Sequence, residues 1–348
     1  MSTTKKIVLI VSSVLLVCII CAGIIMATSF GKGGFGMLFG SIKGESQNVN
    51  ESADLDLSGI DSINVQCVSG KIIIEEGKPH ASLNGSILSS QPKDNYLAVE
   101  KNGSTLTVKF DSNMTFPATI SANVTLDVSL PKDVLANLNV SGASADAEIR
   151  GLQLKDMRVD TASGITTISD CKGDMLHIGA TSGKIDLSDA QFSRIDAGST
   201  SGTVNITDVT GDVSANCTSG DTVIENITGS VTAGSTSGVV RITNTTGDVS
   251  ITNTSGGAYV SQSQKEIGDI RVALISGTVE VKLNPETAFD IDAETTSGGF
   301  STDFDVTVSG SMSKRVVGED LYGKVNGGGP QVNLSTVSGS IRVNKLSE

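Results

Sequence analysis

The dipeptide Ser-Gly recurs at residues 163, 182, 201, 219, 237, 255, 276, 297 and 338, at intervals of 19, 19, 18, 18, 18, 21, 21 and 41. A period this short restricts the chain to a solenoid, because a unit of some twenty residues cannot bury its own apolar face and must stack on a neighbour. The flanking residues obey one template. Six and four places before each Ser, and two and four places after each Gly, the residues are mostly aliphatic. Val213 and Ala215 precede Ser219, and Thr222 and Ile224 follow Gly220. The series runs from Met157 and Val159 to Ile341 and Val343, with Phe300 and Thr302 near its end. Period-two alternation sends these side chains to one face of a strand and leaves Asp186, Asn205, Arg241 and Glu280 to water. The expectation is an all-β, right-handed parallel β-solenoid (a β-helix or β-roll) with two short strands per coil of 18–21 residues. Gly173, Gly211, Gly229, Gly247 and Gly268 mark a second corner, and the small Ala residues predict a narrow interior.

Composition supports this reading. The chain of 348 residues holds no Trp, 3 Tyr, 9 Phe and 39 Gly, so its core rests on β-branched and small side chains. With 38 Asp and Glu against 25 Lys and Arg, the formal net charge is -13, and no basic cluster lies beyond the N-terminus. Nucleic acid is therefore excluded as a partner, since releasing counterions from phosphates needs a basic face. Cys67, Cys171 and Cys217 lie too far apart to form a disulfide framework, and Cys18 and Cys21 sit in an apolar run with no second pair to complete a zinc set.

Lys5 and Lys6 precede an uncharged stretch from Ile7 to Ala27. A helix of that length spans about 30 Å, enough for a bilayer. The lysines orient residues 1–6 inside the cell and export the rest. A retained anchor at 7–27 is preferred to a cleaved signal peptide, whose apolar core is usually shorter. Residues 28–52 read as a Gly-rich juxtamembrane linker whose apolar residues either rest among headgroups or simply space the domain from the membrane. Residues 53–134 read as an irregular β region or cap, and 135–348 as the repeats. An insertion at 303–331 is either a plain excursion or a loop that carries a partner.

Catalytic and metal chemistry are not evident. His80 and His177 are the only histidines and have no partners at ligand spacing. Asp174, Asp212, Asp248 and Asp269 recur beside the second corner and read as turn residues rather than a calcium row. Thr181, Thr200, Thr218, Thr236 and Thr254 predict a hydroxyl ladder between coils. Asn205, Asn226 and Asn244 open Asn-x-Thr triplets, as expected by chance in such a chain. Tyr96, Tyr259 and Tyr322 are few for a glycan-cleaving enzyme that needs aromatic platforms. No catalytic, cofactor or metal residue is assigned.

Taken together, Ile63 to Ile74, Leu126 to Pro131, the Ser-Gly series and the closing Val332 to Val343 resemble the bacterial putative-adhesin family of β-strand-repeat domains of unknown function. The resemblance covers the chain from about residue 55 to its end. It implies a cell-envelope location, no established catalytic residues and no defined ligand. The expected function is a non-enzymatic, single-pass membrane protein whose extracytoplasmic solenoid binds a surface protein or wall component. One alternative is a filament stacked through unpaired solenoid ends. The other is a polysaccharide-active enzyme.

Overall fold

The computed structural model describes residues 45–89, 93–111, 120–134, 136–308 and 319–347. The expected anchor at 7–27, its flank at 1–6 and most of the linker at 28–52 lie outside the described residues. Those residues contain twenty-one strands and no helix, and form two compact units that meet in sequence at Asp186 and Leu187.

The N-terminal unit holds β1 (Glu45–Asp54), β2 (Ser62–Glu76), β3 (His80–Ser89), β4 (Leu97–Asn102), β5 (Thr105–Phe110), β6 (Ile120–Leu130), β7 (Asn137–Arg150), β8 (Asp156–Ser169) and most of β9 (Lys172–Ser188). Here β2 is an interior coil. It pairs in parallel with β7 over its length, while its two halves pair with β5 and β6 on the other side. Beyond these the pairing turns antiparallel, with β4 on β5, β3 on β6 and β1 on β3. Tyr96 plugs this end, its hydroxyl donating to Gln47 Oε1 at 2.9 Å. One coil was not recognisable from the Ser-Gly spacing: Ser144 stands in register with Ser69 and Ser163, but Ala145 replaces the glycine.

The C-terminal unit holds β10 (Gln191–Ser201), β11 (Val204–Ser219), β12 (Thr222–Thr228), β13 (Val231–Thr245), β14 (Val249–Gln262), β15 (Ile270–Leu283), β16 (Phe289–Ser297), β17 (Phe300–Thr302), β18 (Val306–Val308), β19 (Glu319–Val325), β20 (Gln331–Ser338) and β21 (Ile341–Lys345). Parallel ladders join β10 to β11, β11 to β13, β13 to β14 and β14 to β15. Val213, Val231, Val249 and Ile270 stand in register along them, all buried. Every inward position of the Ser-Gly template is buried except Phe300 and Thr302, which are half-buried.

Two expectations about the coil change. Strands such as β13 and β14 run through the Ser-Gly corner without losing register, so the glycine bends one long strand instead of separating two short ones. A further corner follows the second half-strand, where Asp170, Asp189, Asp208, Asn226 and Asn244 hold φ between 51 and 57°. Asp and Asn are the non-glycine residues that best tolerate this left-handed conformation. Each aims its successor inward: Cys171 is buried in the N-terminal unit, and Ala190, Val209, Ile227 and Thr245 are a third set of buried positions in the C-terminal unit. The coil from Val213 to Ser230 is thus three-sided, with corners at Ser219-Gly220, Asn226 and Gly229-Ser230. In the C-terminal unit the corner side chains also couple successive coils: Asn226 Nδ2 donates to Asp208 Oδ1 at 2.9 Å, and Ser263 Oγ to Asn244 Oδ1 at 2.8 Å.

The order of coils departs from chain order. The last repeat does not stack on the outside. Strand β20 lies between β15 and β16, parallel to both, and β21 lies between β15 and β17. The stretch 303–331, expected as a loop, contains β18 and β19; β19 returns antiparallel on β16 and β18 pairs on β19. Phe304 closes the interior edge-on against Phe289, ring centroids 5.4 Å apart.

Cys67, Cys171 and Cys217 are buried and are not joined by disulfides. Loss of solvation pushes the Cys67 and Cys171 thiols up to about 11 from an ordinary 9.0. A thiol held above its unfolded value keeps its stabilising contribution below about pH 9 and loses it progressively toward pH 11. Maleimide at neutral pH is therefore expected to leave all three cysteines unlabelled until denaturant is added. Modification of Cys67, Cys171 or Cys217 in the native protein at the rate of a free thiol, with peptide mapping to set Cys18 and Cys21 apart, would contradict this burial.

Candidate binding groove

The outward side chains of four neighbouring strands in the C-terminal unit line an open groove of about 190 Å³. It exists because inward and outward positions alternate. Ile251, Val272 and Leu334 point into the core, leaving Ser250 and Thr252 of β14, Arg271 and Ala273 of β15, Asn333 and Ser335 of β20, and Asp292 and Glu294 of β16 on the surface. Register sets these side by side in two rows. Ser250, Arg271, Asn333 and Asp292 form one, and Thr252, Ala273, Ser335 and Glu294 the other. Strands about 4.8 Å apart make each row a ladder of polar groups at that spacing.

The lining mixes donors and acceptors. Arg271 is exposed and its Nη2 donates to Asp269 Oδ2 at 2.5 Å, which fixes the guanidinium above the strand. Ala273 and Ser335 are short, so the middle of the groove lies low. Beyond Asp292 its direct cross-strand partner is Tyr322 of β19, the most exposed of the three tyrosines, at 53%. Cross-strand partners on one face stand about 5 Å apart at Cβ. Tyr322 thus flanks the acidic end of the row with a bare aromatic ring.

The residues singled out in the sequence lie elsewhere or serve the coil. Asp212 Oδ1 accepts from Ser230 N at 3.0 Å, Asp248 Oδ1 from Asp269 N at 2.9 Å and Asp269 Oδ1 from Gln331 N at 2.9 Å. This row therefore joins each coil to the next at the backbone, as turn residues do. Thr181, Thr200, Thr218, Thr236 and Thr254 are half-buried beside the Ser-Gly corners, and the equivalent places in later coils are the exposed Ile275, Thr296 and Val337. His80 meets Asp54 at 3.1 Å and His177 meets Asp160 at 3.9 Å. Among the described residues, no group of three or more His, Cys, Asp or Glu side chains is arranged to hold a metal ion. Tyr259 stacks under Arg241, 5.2 Å from guanidinium carbon to ring centroid. None of the described residues of the stretch 303–331 lines the groove, and Tyr322 stands beside its Asp292 edge.

A charged network on the N-terminal unit closes on itself. Lys71 Nζ and Arg150 Nη1 each lie 2.7 Å from a Glu148 oxygen, and Arg150 also binds Glu75. Lys71 holds the Glu148 carboxyl below its usual range. Burial and the nearby Glu75 push Asp127 up. Its cations are held by carboxylates of the same unit.

A family model described as Toastrack DUF4097 matches residues 60–240 and 228–344. No curated protein matches the chain. Among solved structures, a putative adhesin from Bacteroides fragilis is 13% identical, with 86% of this chain and 97% of that one covered and a TM-score of 0.33. A putative adhesin from Parabacteroides distasonis is 12% identical, covering 88% and 99%, at a TM-score of 0.29. A protein from the same organism described as a putative lipid binding protein is 13% identical, covering 86% and 97%, at 0.30.

Proposed function

We infer that this chain, which belongs to the Toastrack DUF4097 family, is a non-enzymatic binding scaffold of the cell envelope, anchored by residues 7–27 and presenting the groove of its C-terminal unit outside the membrane. The anchor follows from the uncharged run after Lys5 and Lys6. The binding role rests on one observation: four strands in strict register bring Arg271, Asn333, Asp292 and their neighbours to one open face. Side chains on strands are held more rigidly than those on loops, so such a face is preorganised for a ligand. End-to-end stacking is not part of this proposal.

The test is capture on intact envelopes by the full-length chain in nanodiscs, compared with an Ala273→Trp variant that fills the groove from an outward position. Recovery of envelope material is expected to fall by about tenfold or more, as for loss of a central contact. Equal recovery by both proteins would reject the groove as the binding face.

A further inference from the structure

We propose that the groove binds a neutral, linear glycan laid across the strands; this rests on the binding-scaffold reading above. Four properties of the lining select that ligand class. The groove is open and crosses β14, β15, β20 and β16, so it suits a segment of a polymer rather than an enclosed small molecule. The side chains that it exposes are polar except for Ala273, and those of Ile251, Val272 and Leu334, which also line it, are buried, so an acyl chain finds no exposed aliphatic side chain to lie against. The one cation of the lining, Arg271, is already paired with Asp269 and shares the groove with Asp292 and Glu294, an excess of negative charge that repels a polyanion. Finally, the strands beneath are hydrogen-bonded to one another on both sides, so no free edge is offered to an extended peptide.

What remains is recognition through side chains, and their chemistry fits sugars. The Arg271 guanidinium, the Asn333 amide and the Asp292 carboxylate are planar groups that can each engage two adjacent hydroxyls. Ser250, Thr252 and Ser335 add single hydroxyls that donate or accept. Tyr322 supplies an exposed ring next to Asp292, where the C–H face of a pyranose can stack. Lying directly between Arg271 and Asp292 in the row, Asn333 is expected at the centre of the contact.

The experiment titrates the full-length chain in nanodiscs with chitohexaose and cellohexaose, with a hyaluronan hexamer as the anionic control. Saturable binding of a neutral hexamer is expected, weakened about tenfold by Asn333→Ala or Tyr322→Ala and abolished by Ala273→Trp. Arg241→Ala, on another face, is expected to leave it unchanged. Because the ligand carries no charge, affinity should change less than about twofold between roughly 50 and 500 mM salt. Thermal unfolding of each variant reports its fold, and the two truncations serve if the tryptophan variant is unstable. Absence of binding to both neutral hexamers, while Ala273→Trp still loses envelope capture, overturns the glycan class and leaves the scaffold reading standing. Hexamer binding that survives Ala273→Trp and Asn333→Ala overturns the groove as the glycan site. Release of reducing ends from either hexamer would instead overturn the non-enzymatic reading.

Discussion

Gly277→Ala is expected to destabilise the C-terminal unit by roughly 3 kcal/mol or more, enough to consume a large part of an ordinary domain's stability. Two independent penalties meet at this residue. Its φ is +136°, a region an L side chain rarely enters. A methyl carbon built there would also stand against the carbonyl oxygen of Gly256, its partner one coil away, and that oxygen is backbone and cannot step aside. The next coil repeats the geometry, since a Cβ on Gly339 would strike the carbonyl of Gly277. The glycines are therefore fixed by the stacking distance as well as by the bend. Gly299, adjacent to another Ser-Gly corner, has nothing within 4 Å of its Cβ position and a φ outside the left-handed region. Gly299→Ala should stay within about 0.5 kcal/mol of wild type or gain slightly, because it only restricts the unfolded chain. Urea unfolding of the two variants checks both, and a Gly277→Ala protein as stable as Gly299→Ala would show that the coils do not approach so closely.

The same contrast explains what could be read from the residues. The inward columns were legible because alternation of aliphatic and polar residues is a strong local signal, and nearly every residue so assigned is buried. The Ser-Gly corners were legible because their spacing is regular, and the family resemblance built on them holds. The left-handed corner was present at the same spacing, as Asp170, Asp189, Asp208, Asn226 and Asn244, yet Asp and Asn are so frequent in this chain that the series did not stand out. Two of its members looked instead like chance sequons. The coil at Ser144 escaped for the opposite reason, since Ala145 breaks the dipeptide while keeping the register. The groove could not be read at all. Arg271, Asn333 and Asp292 belong to three different repeats, and local pattern cannot decide which repeat lies beside which when all share one template.

That ordering leads to the second large effect. In a solenoid stacked in chain order, removing the terminal repeat exposes a new end and leaves the other coils nearly as stable as before, because each coil depends on its nearest neighbours. Here the terminal repeat is internal. Truncation after Gly329 removes β20 and β21, which supply the ladder partners of β15 on one side and of β16 and β17 on the other. It also deletes the buried Val332, Leu334, Ile341 and Val343, whose loss uncovers Ile270, Val272, Val279 and Ile291 together. Large-to-small loss at a single such site costs about 2–5 kcal/mol, so losing four exceeds the stability this end can hold. Hydrogen exchange on the truncated protein should show protection lost from β15, β16 and β19 at once, while β11 and β13 keep theirs. If β16 and β19 stayed protected, the last repeat would have to lie outside them in chain order, and the row that joins Arg271 to Asp292 through Asn333 would not exist.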